Sequence, residues 1–142
     1  MGAGAVVPDY ELDEAALRLG IPFPKDYREF IARFGGGYAG SLPVAGLRRW
    51  EMAAEGEWSV VELTETHRTA SWPGTEGWLV FSGDGFGSPI GLDTTGRVWL
   101  SDHFSRECVC LEAGFEDWVR RWALHAEPHR TGGYLVRWSW PG

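Results

Sequence analysis

The sequence predicts a single α+β domain, and three observations carry that expectation. Two amphipathic helical patterns open the chain, residues 77–112 switch to short strands separated by Gly-rich turns, and a strong helical pattern returns at Gly114. With 142 residues and 44% hydrophobic content, one core can form without disulfides or metal. Residues 1–142 are therefore read as one domain, with no internal repeat or low-complexity linker.

The first helix is expected from Tyr10 to Leu19, capped by Asp9, with Leu12, Ala15, Ala16 and Leu19 on one face and Gly20 as its stop. The second follows Pro24. Asp26 and Glu29 complement its positive end, Arg33 its negative end, and Tyr27, Phe30, Ile31 and Phe34 form an apolar stripe. Gly35 ends it. Three consecutive glycines after a helix suit a sharp helix-to-strand turn, since a phosphate-cradling loop precedes a helix and offers amides, whereas this run meets the carbonyl end.

"SLPVAGLRRW" reads as one or two strands with a Gly kink. In "SVVELTETHRTA", Ser59-x-x-Glu62 forms a capping box and Val60, Leu63 and His67 have helical spacing, although Val61, Leu63 and Glu65 also alternate as a strand would. Helix is preferred. Beyond Gly77, "WLVFS", "SPIGLD", "RVWLSD" and "ECVCL" predict an antiparallel meander turning at "GDGFG" and "TTG". The closing helix buries Phe115, Trp118, Val119 and Trp122, and after Pro128 the alternation of Tyr134, Val136, Trp138 and Trp140 predicts one more strand.

Twenty acids against thirteen bases give a net charge of -7, so no field favours nucleic acid or an anionic membrane. A basic or neutral partner is expected. The bases are twelve arginines and one lysine, Asn and Gln are absent, and low Lys, Asn and Ile together read as GC-rich coding; the absence of Asn also removes N-glycosylation and the side-chain amide readout of adenine. "MGAGAVVPDY" has neither the basic region nor the apolar run of a secretory signal, Val6 stands where myristoylation wants Ser or Thr, and no apolar run reaches membrane-span length. A cytoplasmic location follows as the expectation.

The polar clusters carry no complete catalytic or metal-binding signature. Cys108-x-Cys110 and His125-x-x-x-His129 count like a Cys2His2 set, but the single-residue Cys spacing on a strand lacks a zinc knuckle and Pro128 interrupts the His pair. Two reduced core cysteines are expected, with no metal and no cofactor. "GDGFGSPIG" continues as a strand where a nucleotide loop would open a helix, so it reads as a hairpin turn with Phe86 available at its tip. "SDHFS" brings Asp102, His103 and Ser105 together in sequence without a nucleophile elbow or identifiable oxyanion hole, and Asp84 and Asp93 read as turn residues. No catalytic residue is assigned.

The acidic stretch carries more weight. Glu51, Glu55, Glu57, Glu62 and Glu65 place five acids and no Lys or Arg within fifteen residues, with Trp58 among them. Such a stretch is either solvated or faces a basic partner, and an aromatic among acids suits an interface. Glu51, Glu55, Glu57, Trp58, Glu62, Glu65 and Phe86 are the candidate partner-binding residues.

"LGIPFPKDYREFIARFGGG" resembles the N-terminal signature of the SUKH (SMI1/KNR4-like) superfamily, with Pro24, Asp26, Tyr27, Phe30, Gly36 and Gly37 at matching positions. "WLVFSGDGFGSPIGLDTTGRVWLSDHFS" followed by "GFEDWVRRW" is similar to its second half, so the resemblance covers roughly residues 10–124 and leaves 125–142 as a C-terminal extension. Gly35 replaces a common Asn and Phe23 a common Leu. The resemblance implies a curved, mainly antiparallel sheet flanked by helices, with no shared catalytic site. It also implies a protein partner: either a toxin, often a nuclease, neutralised by a bacterial immunity protein through stoichiometric occlusion, or an endogenous protein bound by a regulatory or scaffolding module related to cell-wall synthesis.

Overall fold

A computed structural model describes residues 6–39, 42–49 and 58–125. The helix patterns lie where sequence spacing puts them. Helix α1 (Asp9–Leu19) buries Leu12, Ala15 and Leu19, and α2 (Lys25–Phe34) buries Tyr27, Phe30 and Ile31. Both end on left-handed glycines, Gly20 and Gly35, whose amides bond back to the final turn. At α1 the expected Asp9 cap is corrected. Pro8 holds the N-cap position with extended backbone and makes no side-chain cap bond, leaving Asp9 as the first helical residue, where its charge complements the dipole.

The glycine run carries the chain directly into β1 (Gly37–Ala39), which pairs antiparallel with β2 (Leu42–Val44). Gly35 and Gly36, at φ 73° and 145°, provide the backbone freedom that this turn needs. Helix α3 (Val60–Thr69) starts at Ser59, whose side chain accepts the Glu62 amide, so the helical reading of this segment holds. Strands β3 (Leu79–Gly83), β4 (Pro89–Leu92), β5 (Val98–Ser101) and β6 (Cys108–Glu112) form the antiparallel meander in order β3-β4-β5-β6. Register shifts between Val80 and Ser82 and between Val98 and Trp99 bend it. Helix α4 (Phe115–His125) closes the described fold.

Helices and sheet enclose one aromatic core. Tyr27, Phe30, Phe81, Phe115 and Trp118 are all essentially inaccessible, with Tyr27 and Phe115 ring centres 5.1 Å apart and Phe81 and Trp118 also 5.1 Å apart. Polar side chains tie the layers. Thr64 Oγ1 of α3 accepts the Val80 amide at 2.9 Å and Ala45 donates its amide to Phe81 O at 2.7 Å, so the β3 edge is occupied by its neighbours.

At the opposite edge, one expectation is overturned. Cys108 and Cys110 are free but exposed, not core residues, because β6 borders the sheet and neither of its faces is fully covered there. The predicted strand near residues 133–140 lies outside the described residues, as do Glu51, Glu55, Glu57 and His129, and Trp122 lies beyond those whose side chains are described.

Candidate functional site

The signature residues are architectural. Asp26 Oδ1 accepts the Tyr27 amide at 2.8 Å while Oδ2 accepts the Glu116 amide at 2.9 Å, so one carboxylate joins the start of α2 to the start of α4. Tyr27 donates its hydroxyl to Ala45 O at 2.6 Å from a fully buried position, and burial raises its pKa well above the ordinary phenol value. These residues locate the elements around them without presenting a surface.

The accessible chemistry lies at one end of the meander. In the β3–β4 turn, Asp84 Oδ1 accepts the amides of Phe86 at 2.8 Å and Ser88 at 3.1 Å. Phe86, between the left-handed Gly85 and Gly87, is 76% exposed. In the β5–β6 turn, Asp102 Oδ1 accepts the Phe104 amide at 2.9 Å, and this bond holds the Asp102 carboxyl below its ordinary range. Phe104 is 78% exposed and stacks on the ring of His103, 4.2 Å away. The two turns touch: the His103 amide donates to Ser88 Oγ at 3.0 Å.

Asp102, His103 and Ser105 therefore build a turn. Asp102 is spent on amides, and the Ser105 hydroxyl accepts the Glu107 amide. Phe104 is not among the expected surface residues, yet its exposure has a signal in sequence. Asp84-Gly-Phe86 and Asp102-His-Phe104 share the pattern of an Asp that captures the amide two residues on and lifts an aromatic at the tip.

Beside these turns lies an open groove of about 530 Å³, lined by Leu42, Pro43, Leu63, His67, Gly85 and Pro89 among others. Helix α3 forms one wall and the Phe86 turn the other. Val60 and Thr64 turn into the core, Leu63 and His67 into the groove, and Val61, Glu65 and Arg68 toward α1. Glu62 is left on the outer face, exposed and without an ion-pair partner among the described residues. Glu65 is different, because Arg18 grips it with Nε and Nη2 at 3.0 and 2.8 Å.

Trp58 is half-buried and its carbonyl accepts the Gly46 amide at 2.8 Å. Thus the predicted set separates. Phe86 and Glu62 stand on accessible surface near the groove, Glu65 is partly neutralised toward α1, and the earlier acids lie outside the described residues. Arg48 marks where that acidic stretch begins, with its guanidinium forked onto Glu11 at 2.6 and 2.8 Å, which lowers the Glu11 pKa.

Among the described residues no cluster of three or more His, Cys, Asp or Glu side chains is placed to hold a metal, and no helix is long and apolar enough to cross a membrane. The model of the SMI1/KNR4 family (SUKH-1) matches residues 7–121. No curated protein matches the chain.

Proposed function

The chain belongs to the SMI1/KNR4 family (SUKH-1), and from that premise we propose that it is an immunity protein that binds a cognate basic toxin and neutralises it by stoichiometric occlusion. Family membership supports a protein-interaction role, and the observation that carries the finer reading is the accessible end of the meander. Two phenylalanines, each more than three-quarters exposed, stand there on turns whose Asp84 and Asp102 carboxylates form no salt bridge among the described residues. Exposed aromatics anchor interfaces, and unpaired acids speed encounter with a basic surface. The partner-binding set is Phe86, Trp58, Glu62 and Glu65, continued by Glu51, Glu55 and Glu57. Aromatic contact slows release and charge governs arrival.

The role proposed is binding, with no catalytic residue, cofactor or metal, exercised in the cytoplasm where the toxin is made. The alternative is a regulatory or scaffolding module for an endogenous protein, favoured by the family's name-giving branch. Growth of cells expressing a basic toxin from the source organism, with and without this chain, separates the two. Relief of inhibition, lost when Glu55, Glu57 and Glu62 are all changed to Lys in a folded variant, is the expected result. A deletion phenotype in cells that make no toxin would favour the regulatory module.

A further inference from the structure

We infer that the Phe86 and Phe104 turns, together with the groove between the Phe86 turn and α3, form one docking crest for an extended, cationic segment of a partner protein. This deepens the proposal above and rests on its partner being a protein. The two turns belong to different hairpins but act as one body. The His103 amide bonds to Ser88 Oγ at 3.0 Å, and the His103 ring lies so close to Gly87 that an added Cβ would stand 3.3 Å from its Nδ1. Behind them, Trp72 meets His67 of α3 at 5.3 Å and His103 at 6.4 Å, both edge-on, so the same rings connect the groove wall to the crest.

Size and charge select the occupant. The groove's apolar lining includes Leu42, Pro43, Leu63 and Pro89, whereas Phe86 and Phe104 remain 76% and 78% exposed. A small molecule held in the groove leaves those rings in water. Burying groove and rings together takes an occupant that spans both turns, which is a macromolecular segment. Asp84, Asp102 and Glu107 belong to these turns and Glu62 to the outer face of α3, and none of them forms a salt bridge among the described residues; Arg106 and His103, which attracts Asp102, are the basic residues of the Phe104 turn. An excess of acids over bases repels nucleic acid and anionic bilayers and favours a cationic chain, with apolar side chains for the groove.

The test titrates the isotopically labelled full chain with a short peptide of alternating arginine and leucine, following amide shifts, in parallel with the same peptide carrying glutamate for arginine. Saturable shifts confined to Leu42 and residues 63–67, 82–88 and 102–107, absent with the glutamate peptide, are expected. Phe86→Ala with Phe104→Ala should weaken binding by about tenfold or more. Unchanged affinity in that variant, shifts elsewhere, equal binding of the glutamate peptide or no binding would overturn the inference. So would neutral phosphatidylcholine vesicles reproducing the same shifts, which would assign the crest to a membrane surface. Both rings are largely in water, so the variant should keep the wild-type melting transition, and each single substitution serves as a second check. Toxin relief that survives both Ala substitutions sinks the crest and spares the immunity reading. Wild-type chain that relieves no toxin, while still seating the peptide here, does the reverse.

Discussion

Removing the Asp26 carboxylate should uncouple two helices that lie 90 residues apart in sequence. Asp26→Ala deletes the acceptor of the Glu116 amide at 2.9 Å, at the positive end of α4, and the acceptor of the Tyr27 amide at 2.8 Å. Losing a helix cap costs about 1–2 kcal/mol, and a hydrogen bond to a charged acceptor contributes about 1.5–3 kcal/mol. The carboxylate is half-buried, so water can take over part of that role, and the expected loss is about 2 kcal/mol. Asp26→Asn keeps an acceptor and loses only the charge, so it should cost about half as much. Urea unfolding followed by tryptophan fluorescence measures both, with the midpoint falling at unchanged slope. An Ala variant within about 0.3 kcal/mol of wild type, or an Asn variant as damaged as the Ala variant, would refute the cap.

Other consequences are as specific. Thr64→Val should cost about 1–3 kcal/mol by stranding the buried Val80 amide, while Thr64→Ser keeps the acceptor and most of the stability; denaturant midpoints decide it. Asp93 is raised by burial but lowered on balance by Thr95 Oγ1, the Trp99 indole N–H and the Arg97 and Thr95 amides. A depressed carboxyl stabilises the fold fully above its ordinary value of 3.8 and loses that contribution as pH falls through the lowered value, so Asp93→Asn should flatten the stability profile below about pH 4. Glu65→Lys breaks a pair with Arg18 whose side chains are 64% and 40% exposed, and should change stability by less than about 1 kcal/mol in thermal melts. Glu65→Lys can therefore be read as a binding test at that position.

Much of this fold was legible because period and punctuation agree. The stripe of Tyr27, Phe30, Ile31 and Phe34 and the stop at Gly35 define α2 without any tertiary knowledge, and the Gly-containing turns at 83–87 and 94–96 separate the first three strands of the meander. Asp9 shows the limit of that reasoning. Local cap preference points to it, but Pro8 sets the extended entry and the helix begins one residue earlier. Cys108 and Cys110 show another, since a cysteine's average burial says nothing about which strand becomes the border of a sheet. The candidate surface was only half visible for the same reason. Phe86 stands out on its Gly-rich turn, whereas the nearness of Phe104 depends on two hairpins meeting through Ser88 and His103. Glu65 read as a free acid because Arg18, its partner, is 47 residues away.

The claim that this chain works by stoichiometric capture of a basic toxin is tested most directly by native mass spectrometry of the tagged protein recovered from its source cell, first at low salt and then at high salt. A one-to-one complex with a basic polypeptide that is toxic when expressed alone, harmless beside this chain, and more weakly held as salt screens the charges is the predicted result. Recovery of wall-synthesis or signalling proteins in its place, or of a toxic polypeptide whose action the bound chain leaves unchanged, would contradict the account.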